Sequence, residues 1–284
     1  GRAVAALFNE VHTFYTFMDG AQPNTNPIPC ICVPSTYRTP FVFTNSVPIT
    51  DSRSNQIKLM KVQKNLCKLV LYDPNTSLSL SANQKTTIAI ELIAMAVEAY
   101  LSQKANFFSD MFVEKGLELL TYALDGSPSL DITTPEEILF AQAGTMISLA
   151  TTSSSLGLSS LLSLTINSRY KMLKSLVSSI LLPYMIEDVV KYKSTKIAKL
   201  AKIMKCVQKN EAETLSEEEL CKAFIDSVRE RIAKANLPTR LKDLNLTIEQ
   251  LSLAVEDVKE IDIVNTLPRS MSTDDIFDFI KLAY

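Results

Sequence analysis

Histidine is almost missing from this chain: His12 is the single one in 284 residues. Imidazole is the commonest metal ligand near neutral pH and a frequent general base. A metal centre built on several imidazoles is therefore impossible within one chain, and that count limits function more than any motif does. Cysteine offers little more. Cys30, Cys32, Cys67, Cys206 and Cys221 are an odd set without C-x-x-C spacing, which indicates neither a disulfide framework nor a zinc site. They read as reduced thiols in a cytosolic, cytoplasmic protein. A net charge of -2 gives no general case for nucleic-acid binding, and no secretory signal is visible. The longest uncharged run, Ile138–Ser168, exceeds membrane-spanning length, yet it carries eight Ser, four Thr, a Gln, an Asn and two Gly. That is too polar for a lipid-facing span, and buried helices with a polar seam are expected instead.

What is present is organised around Lys85–Ser102, KTTIAIELIAMAVEAYLS. Ile88, Ile90, Leu92, Ile93, Met95, Val97 and Leu101 leave no consistent polar face, so the spacing predicts a helix inside a sizeable core. Only Glu91 and Glu98 carry charge there, and with Met95 between them at helical spacing all three share one face. A carboxylate on an otherwise buried helix needs a partner or a proton.

Ahead of this helix, Arg2–Met18 reads as one helix closed by Asp19-Gly20, with His12 on its surface. A Pro/Asn loop follows. Ile28–Pro34 is expected to be a short buried strand, Phe41–Asn45 and Gln56–Val62 two strands around the turn Thr50–Asn55, and Lys68–Tyr72 a third. Behind it nearly everything reads as helical: Asn106–Leu124 ending at Asp125-Gly126, a helix opened by Thr134-Pro135-Glu136-Glu137 and running to about Ala150, and Ser216–Ala235 with a capping-box start, Ser216 to Glu219. Lys191–Lys209 holds seven lysines among Ile197, Leu200, Ile203 and Met204. A basic amphipathic helix can bind a membrane surface or an acidic partner; a solvated face balanced by the acidic stretch Glu211–Glu219 is the plainer reading.

Several blocks in order resemble the iron-containing (group III) alcohol dehydrogenase family. IAIELIAMAVEAYLS is similar to the family helix G-M-D-A-L-x-H-A-x-E-A-Y, in which the Asp and the His are metal ligands; those positions are Glu91 and Met95 here. The segment Pro34–Phe41 is similar to P-T-T-A-G-T-G-S-E beside the nicotinamide. Pro34, Thr36 and Thr39 match, while Arg38 and Pro40 replace the glycines that let backbone approach a ligand. A plain strand and turn is the other reading of that segment. Asp73-Pro74 matches the connection into the family's helical domain, and Leu237–Leu246 (LPTRLKDLNL) and Asn265–Tyr284 resemble its later blocks. Ile180-Leu181-Leu182-Pro183 is retained intact, and counting back from it places the two remaining ligand positions on Ser160 and Lys174, with Leu164 at a third histidine position.

The resemblance implies a mainly α fold with a small α/β part: a remnant nucleotide-binding α/β domain over residues 1–80, then an all-helical domain over 81–284. The family's pyrophosphate loop would lie ahead of Gly1, so a fragment of a longer protein is expected. The four ligand positions, Glu91, Met95, Ser160 and Lys174, offer a divalent cation one good carboxylate. Lys174 then stands in the cation's place and pairs with Glu91, an ion pair that Lys174→Met would break. Thr36 and Thr39 are the candidate cofactor-binding residues. The function expected is that of a degenerate, catalytically inactive member without cofactor or metal, kept as a structural or assembly protein, a homo-oligomer or scaffold. The alternative is an active NAD(P)-dependent oxidoreductase acting on an alcohol or aldehyde, with Fe or Zn in an atypical site.

Overall fold

A computed structural model describes residues 1–126 and 134–284. The N-terminal part opens with two short helices, α1 (Arg2–Leu7) and α2 (Phe14–Met18), where one continuous helix was expected. The break between them is tied to the following loop: Glu10 Oε1 accepts from the backbone of Asn24 and Thr25 at 2.8 and 2.9 Å, and Asn9 donates to the Asn26 carbonyl. His12 accordingly lies exposed in a bend rather than on a helix. Gly20, at φ 111°, closes α2 in a conformation that L side chains rarely adopt.

Two small sheets follow. Strands β1 (Cys30–Cys32) and β4 (Cys67–Val70) pair in parallel; β2 (Ser46–Thr50) and β3 (Ile57–Lys61) form an antiparallel hairpin between them. The expected burial of Ile28–Pro34 is not found, since Ile31 is 61% and Val33 55% exposed. The strand expected at Phe41–Asn45 is a run of turns, and the hairpin starts at Ser46. Aromatic and β-branched residues favour strand there, but the guanidinium of Arg2 takes the carbonyls of Phe41 and Thr44 at 2.6 and 2.5 Å. Tertiary bonding overrides local preference.

The helical body centres on α3 (Ala82–Leu101), opened by a Ser81–Gln84 capping box and buried from Thr87 to its end. Around it lie α4 (Phe107–Asp125), α5 (Glu136–Ser153), α6 (Leu158–Tyr170) and the long α7 (Lys174–Ile203). The short α8 (Lys209–Ala212), then α9 (Glu217–Lys234), α10 (Ile248–Lys259) and α11 (Thr273–Ala283), complete it. Pro135 sits just before α5, and Thr134 does not cap it. Helix α9 has the expected capping box. Among the described residues no single helix is long and apolar enough to cross a membrane; α5 and α6 together have the length and composition, but as a pair bent by 99°.

The lysines of α7 are balanced by a different partner from the one expected. Lys196 pairs with Asp110 and Lys199 with Glu114, both on α4. Lys193 and Lys196 also donate to the carbonyls of Leu101 and Tyr100 at 2.6 and 2.7 Å. Those are among the last carbonyls of α3, where cations complement the helix end. From the Glu211–Glu219 stretch, Glu217 receives the hydroxyls of Ser194 and Thr195.

Candidate functional site

The site is built along one face of α3. Glu91, Met95 and Glu98 are 7%, 2% and 2% exposed, so both carboxylates need compensation inside the protein. Each finds a different one.

Glu91 meets the guanidinium of Arg38, Nη1 to Oε2. The turn that delivers Arg38 is fixed by its neighbour Tyr37, whose backbone is left-handed at φ 57° and whose side chain is fully buried. The Tyr37 ring lies 6.2 Å from Tyr72 and 6.1 Å from Phe140, within the range of favourable aromatic contact. Its hydroxyl donates to the Pro74 carbonyl at 3.1 Å, and its own carbonyl accepts from Ser148 Oγ at 3.3 Å. Helix α5 admits the turn because residue 144 is glycine: a Cβ there would stand 2.5 Å from Tyr37 Cβ and 2.8 Å from its carbonyl oxygen.

Glu98 turns to the start of α6. Its carboxylate accepts from Ser160 Oγ at 2.5 Å and Ser160 N at 2.9 Å, with the amides of Gly157 and Ser159 also directed at it. These are first-turn donors that the helix itself leaves unpaired. Burial nevertheless pushes the Glu98 carboxyl above its ordinary range, against the opposing pull of these donors. Gly157 gives the room, since a Cβ would meet Glu98 Cγ at 2.7 Å.

Three of the four expected ligand positions are engaged within the protein. Glu91 is held by Arg38, Met95 is packed in the core, and Ser160 is bound to Glu98. Lys174, the first residue of α7, is not the partner of Glu91; that expectation is corrected, because the turn at Tyr37 carries the Arg38 cation there first. Leu164 is buried. Thr39 is occupied within the protein, its hydroxyl 2.7 Å from Tyr72 OH and its amide donating to Ser148 Oγ at 3.3 Å; Thr36 is half-buried on the same turn, its carbonyl accepting from Arg38 N at 2.7 Å. A cleft of about 520 Å³ opens beside this turn, between the β2–β3 hairpin and the α5–α6 junction, with Phe41, Lys58, Lys61, Thr151, Ser155 and Ile263 in its walls. Two features escaped the sequence reading. Arg38 was visible as a bulky replacement but not as the partner of Glu91, and Glu98 was visible as a charge but not as the acceptor at the start of α6. An arginine entering beside a helix that carries an unexplained carboxylate was the available signal for the first.

A helical body of this form, set on a small α/β part, is shared by solved alcohol dehydrogenases. The Fe-containing alcohol dehydrogenase family profile, C-terminal, matches residues 86–284, well over half of the chain, and the chain belongs to that family. Lactaldehyde reductase of Escherichia coli K12 is 20% identical over 268 residues, 94% of this chain and 69% of that protein. The structure of a 1,3-propanediol oxidoreductase superposes with a TM-score of 0.86 at 19% identity, over 100% of this chain and 73% of the other. NADH-dependent butanol dehydrogenase A of Thermotoga maritima gives 0.80 at 17% identity, over 99% and 72%.

These relationships correct the expectation that no cofactor is involved. The family is named for its iron, and one of its structural likenesses for its use of NADH, so kinship points to cofactors rather than to none. The donor set at the four positions on α3, α6 and α7 does not fit iron: a carboxylate engaged by a guanidinium, a thioether, a hydroxyl engaged by Glu98, and an ammonium. Among the described residues no group of three His, Cys, Asp or Glu side chains is placed to hold a metal ion.

Proposed function

We propose that this chain is a catalytically silent member of the iron-containing alcohol dehydrogenase family, retained for a structural role in a homo-oligomer or scaffold in the cytosol. Residues 1–80 belong to the nucleotide-binding domain, and residues 81–284 are the helical domain that the assembly uses. One observation carries this reading: the Arg38 guanidinium stands against Glu91, the one good ligand among the four positions. A fixed cation there neutralises the carboxylate and supplies a planar donor set. It has no open coordination position with which to polarise an alcohol oxygen.

The test supplies both cofactors. Purified protein is incubated with Fe²⁺ or Zn²⁺ and with NADH or NADPH, then assayed for reduction of short aldehydes such as lactaldehyde and for the reverse oxidation. Turnover no faster than that of the Glu91→Ala variant is expected, together with a mass by light scattering that is a multiple of the chain. Turnover that depends on added metal and disappears in Glu91→Ala overturns the silent reading. A strictly monomeric protein at all concentrations overturns the assembly role.

A further inference from the structure

Three of the five cysteines gather on the small parallel sheet, ahead of the helical body. Cys30 and Cys32 alternate on β1 and so point to one face of it; their sulfurs are 3.8 Å apart. Cys67 opens β4 and is the register partner of Cys30, and Cys32 is in hydrogen-bonding contact with both. All three are free thiols and half-buried, open to small reagents. Cys206 and Cys221 belong to the helical body and take no part.

We propose that Cys30, Cys32 and Cys67 form an oxidation site, at which a hydroperoxide closes a disulfide with Cys32 as one of its two members. The chemistry follows from the placing of the three thiols, with Cys32 beside both of the others. Cys32 is pushed up to about 12 by burial and by its two thiol neighbours, so it keeps its proton and donates it toward the other sulfurs. The first attack falls to Cys30 or Cys67, because Cys32 is the thiol in contact with both and so the one placed to close the bond. The thiolate sulfur bonds one peroxide oxygen, the O–O bond breaks, and the departing hydroxide takes a proton to leave as water. The Cys32 sulfur then attacks the sulfenic sulfur. The S–S bond forms, the S–O bond breaks, and the hydroxyl leaves as a second water with the Cys32 proton. Two thiols lose two electrons in total, and one peroxide becomes two waters.

The geometry permits closure. The Cys30 and Cys32 sulfurs already lie 3.8 Å apart, and alternate residues of one strand stand about 6.6 Å apart, inside the span of Cα separations that disulfides bridge. Among the described residues the sheet has two strands, so a small shift of β1 disturbs the strand pairing with β4 alone.

Hydrogen peroxide is added to the full chain at neutral pH, free thiols are blocked, and the tryptic peptides are weighed without reduction. Ala3–Arg38 contains both Cys30 and Cys32, and Asn65–Lys68 contains Cys67. A Cys30–Cys32 bond appears as the first peptide lighter by two hydrogens, and a Cys32–Cys67 bond as the two peptides joined, with fragmentation placing the link on Cys32; either supports the proposal, provided dithiothreitol reverses it. The Cys32→Ser variant is expected to lose the disulfide, while Cys221→Ser keeps it. No disulfide in the wild-type chain, a disulfide that excludes Cys32, or one that forms as fast in Cys32→Ser overturns the proposal. Far-UV circular dichroism of Cys32→Ser before oxidation separates loss of the bond from loss of the fold, and an unfolded variant is replaced by Cys32→Ala in the same comparison.

Discussion

Replacing Arg38 by methionine keeps the length of the stem and removes the cation. The Glu91 side chain, 9% accessible, would then be a carboxylate without a counter-charge on a helix packed on every side. Removing one partner of a buried pair costs about 3–5 kcal/mol. Arg38 is 24% accessible, so solvent screens part of its interaction, and the lower end, about 3 kcal/mol, is the expected loss. In a chain of this length that lowers Tm by roughly 6 °C. Urea unfolding at pH 7 followed by circular dichroism measures it directly. The double variant Arg38→Met/Glu91→Leu supplies the control. With both charges gone and volume kept, most of the loss returns, because apolar replacement of an internal ion pair is close to neutral. An Arg38→Met midpoint within about 0.5 kcal/mol of the parent, or a double variant no more stable than the single, would refute the reasoning.

Three further outcomes follow from the same contacts. Gly144→Ala forces a methyl into the Tyr37 backbone and is expected to cost about 1–3 kcal/mol, read as a lower urea midpoint; an unchanged midpoint would show that the turn does not rest on α5. Asp257 is buried against Arg169, at 2.5 and 2.8 Å, and receives Gln56 Nε2 at 2.7 Å. Asp257→Asn should therefore destabilise by about 3 kcal/mol and speed amide exchange in Ile57–Lys61, whereas unaltered exchange there would detach the hairpin from this pair. Glu98 has its folded value raised above 4.5 by burial, so the stability held by its protonated form is complete below 4.5 and lost as pH rises through the folded value. Subtracting the Glu98→Gln curve from the parent's should reveal a parent advantage that grows as pH falls toward 4.5; a flat difference would mean that Glu98 titrates as in the unfolded chain.

The helical body was legible because its signals are local. The apolar run of Lys85–Ser102, the Ser216–Glu219 capping box and the glycine after Asp125 each declare themselves within a few residues. The first eighty residues were less so. The break in the Arg2–Met18 helix depends on Glu10 reaching Asn24 and Thr25, and the turns at Phe41–Asn45 depend on Arg2 from some forty positions away. Neither partner is visible in a window of sequence. The site divides in the same way. Glu91 was identifiable as a charge needing an answer, but the choice between Lys174 and Arg38 turned on the left-handed backbone at Tyr37, a conformation that tyrosine does not advertise.

Tyr37 and Arg38 also bind the turn and the central helix to one another. Glycine at 38 alone would strand Glu91, and a small residue at 37 alone would empty a fully enclosed space, a loss of about 3–5 kcal/mol for a large aromatic. A histidine placed at 95 would still find Glu91 engaged. Each single change is penalised while the other residues stay as they are, so the two segments can only be rebuilt together.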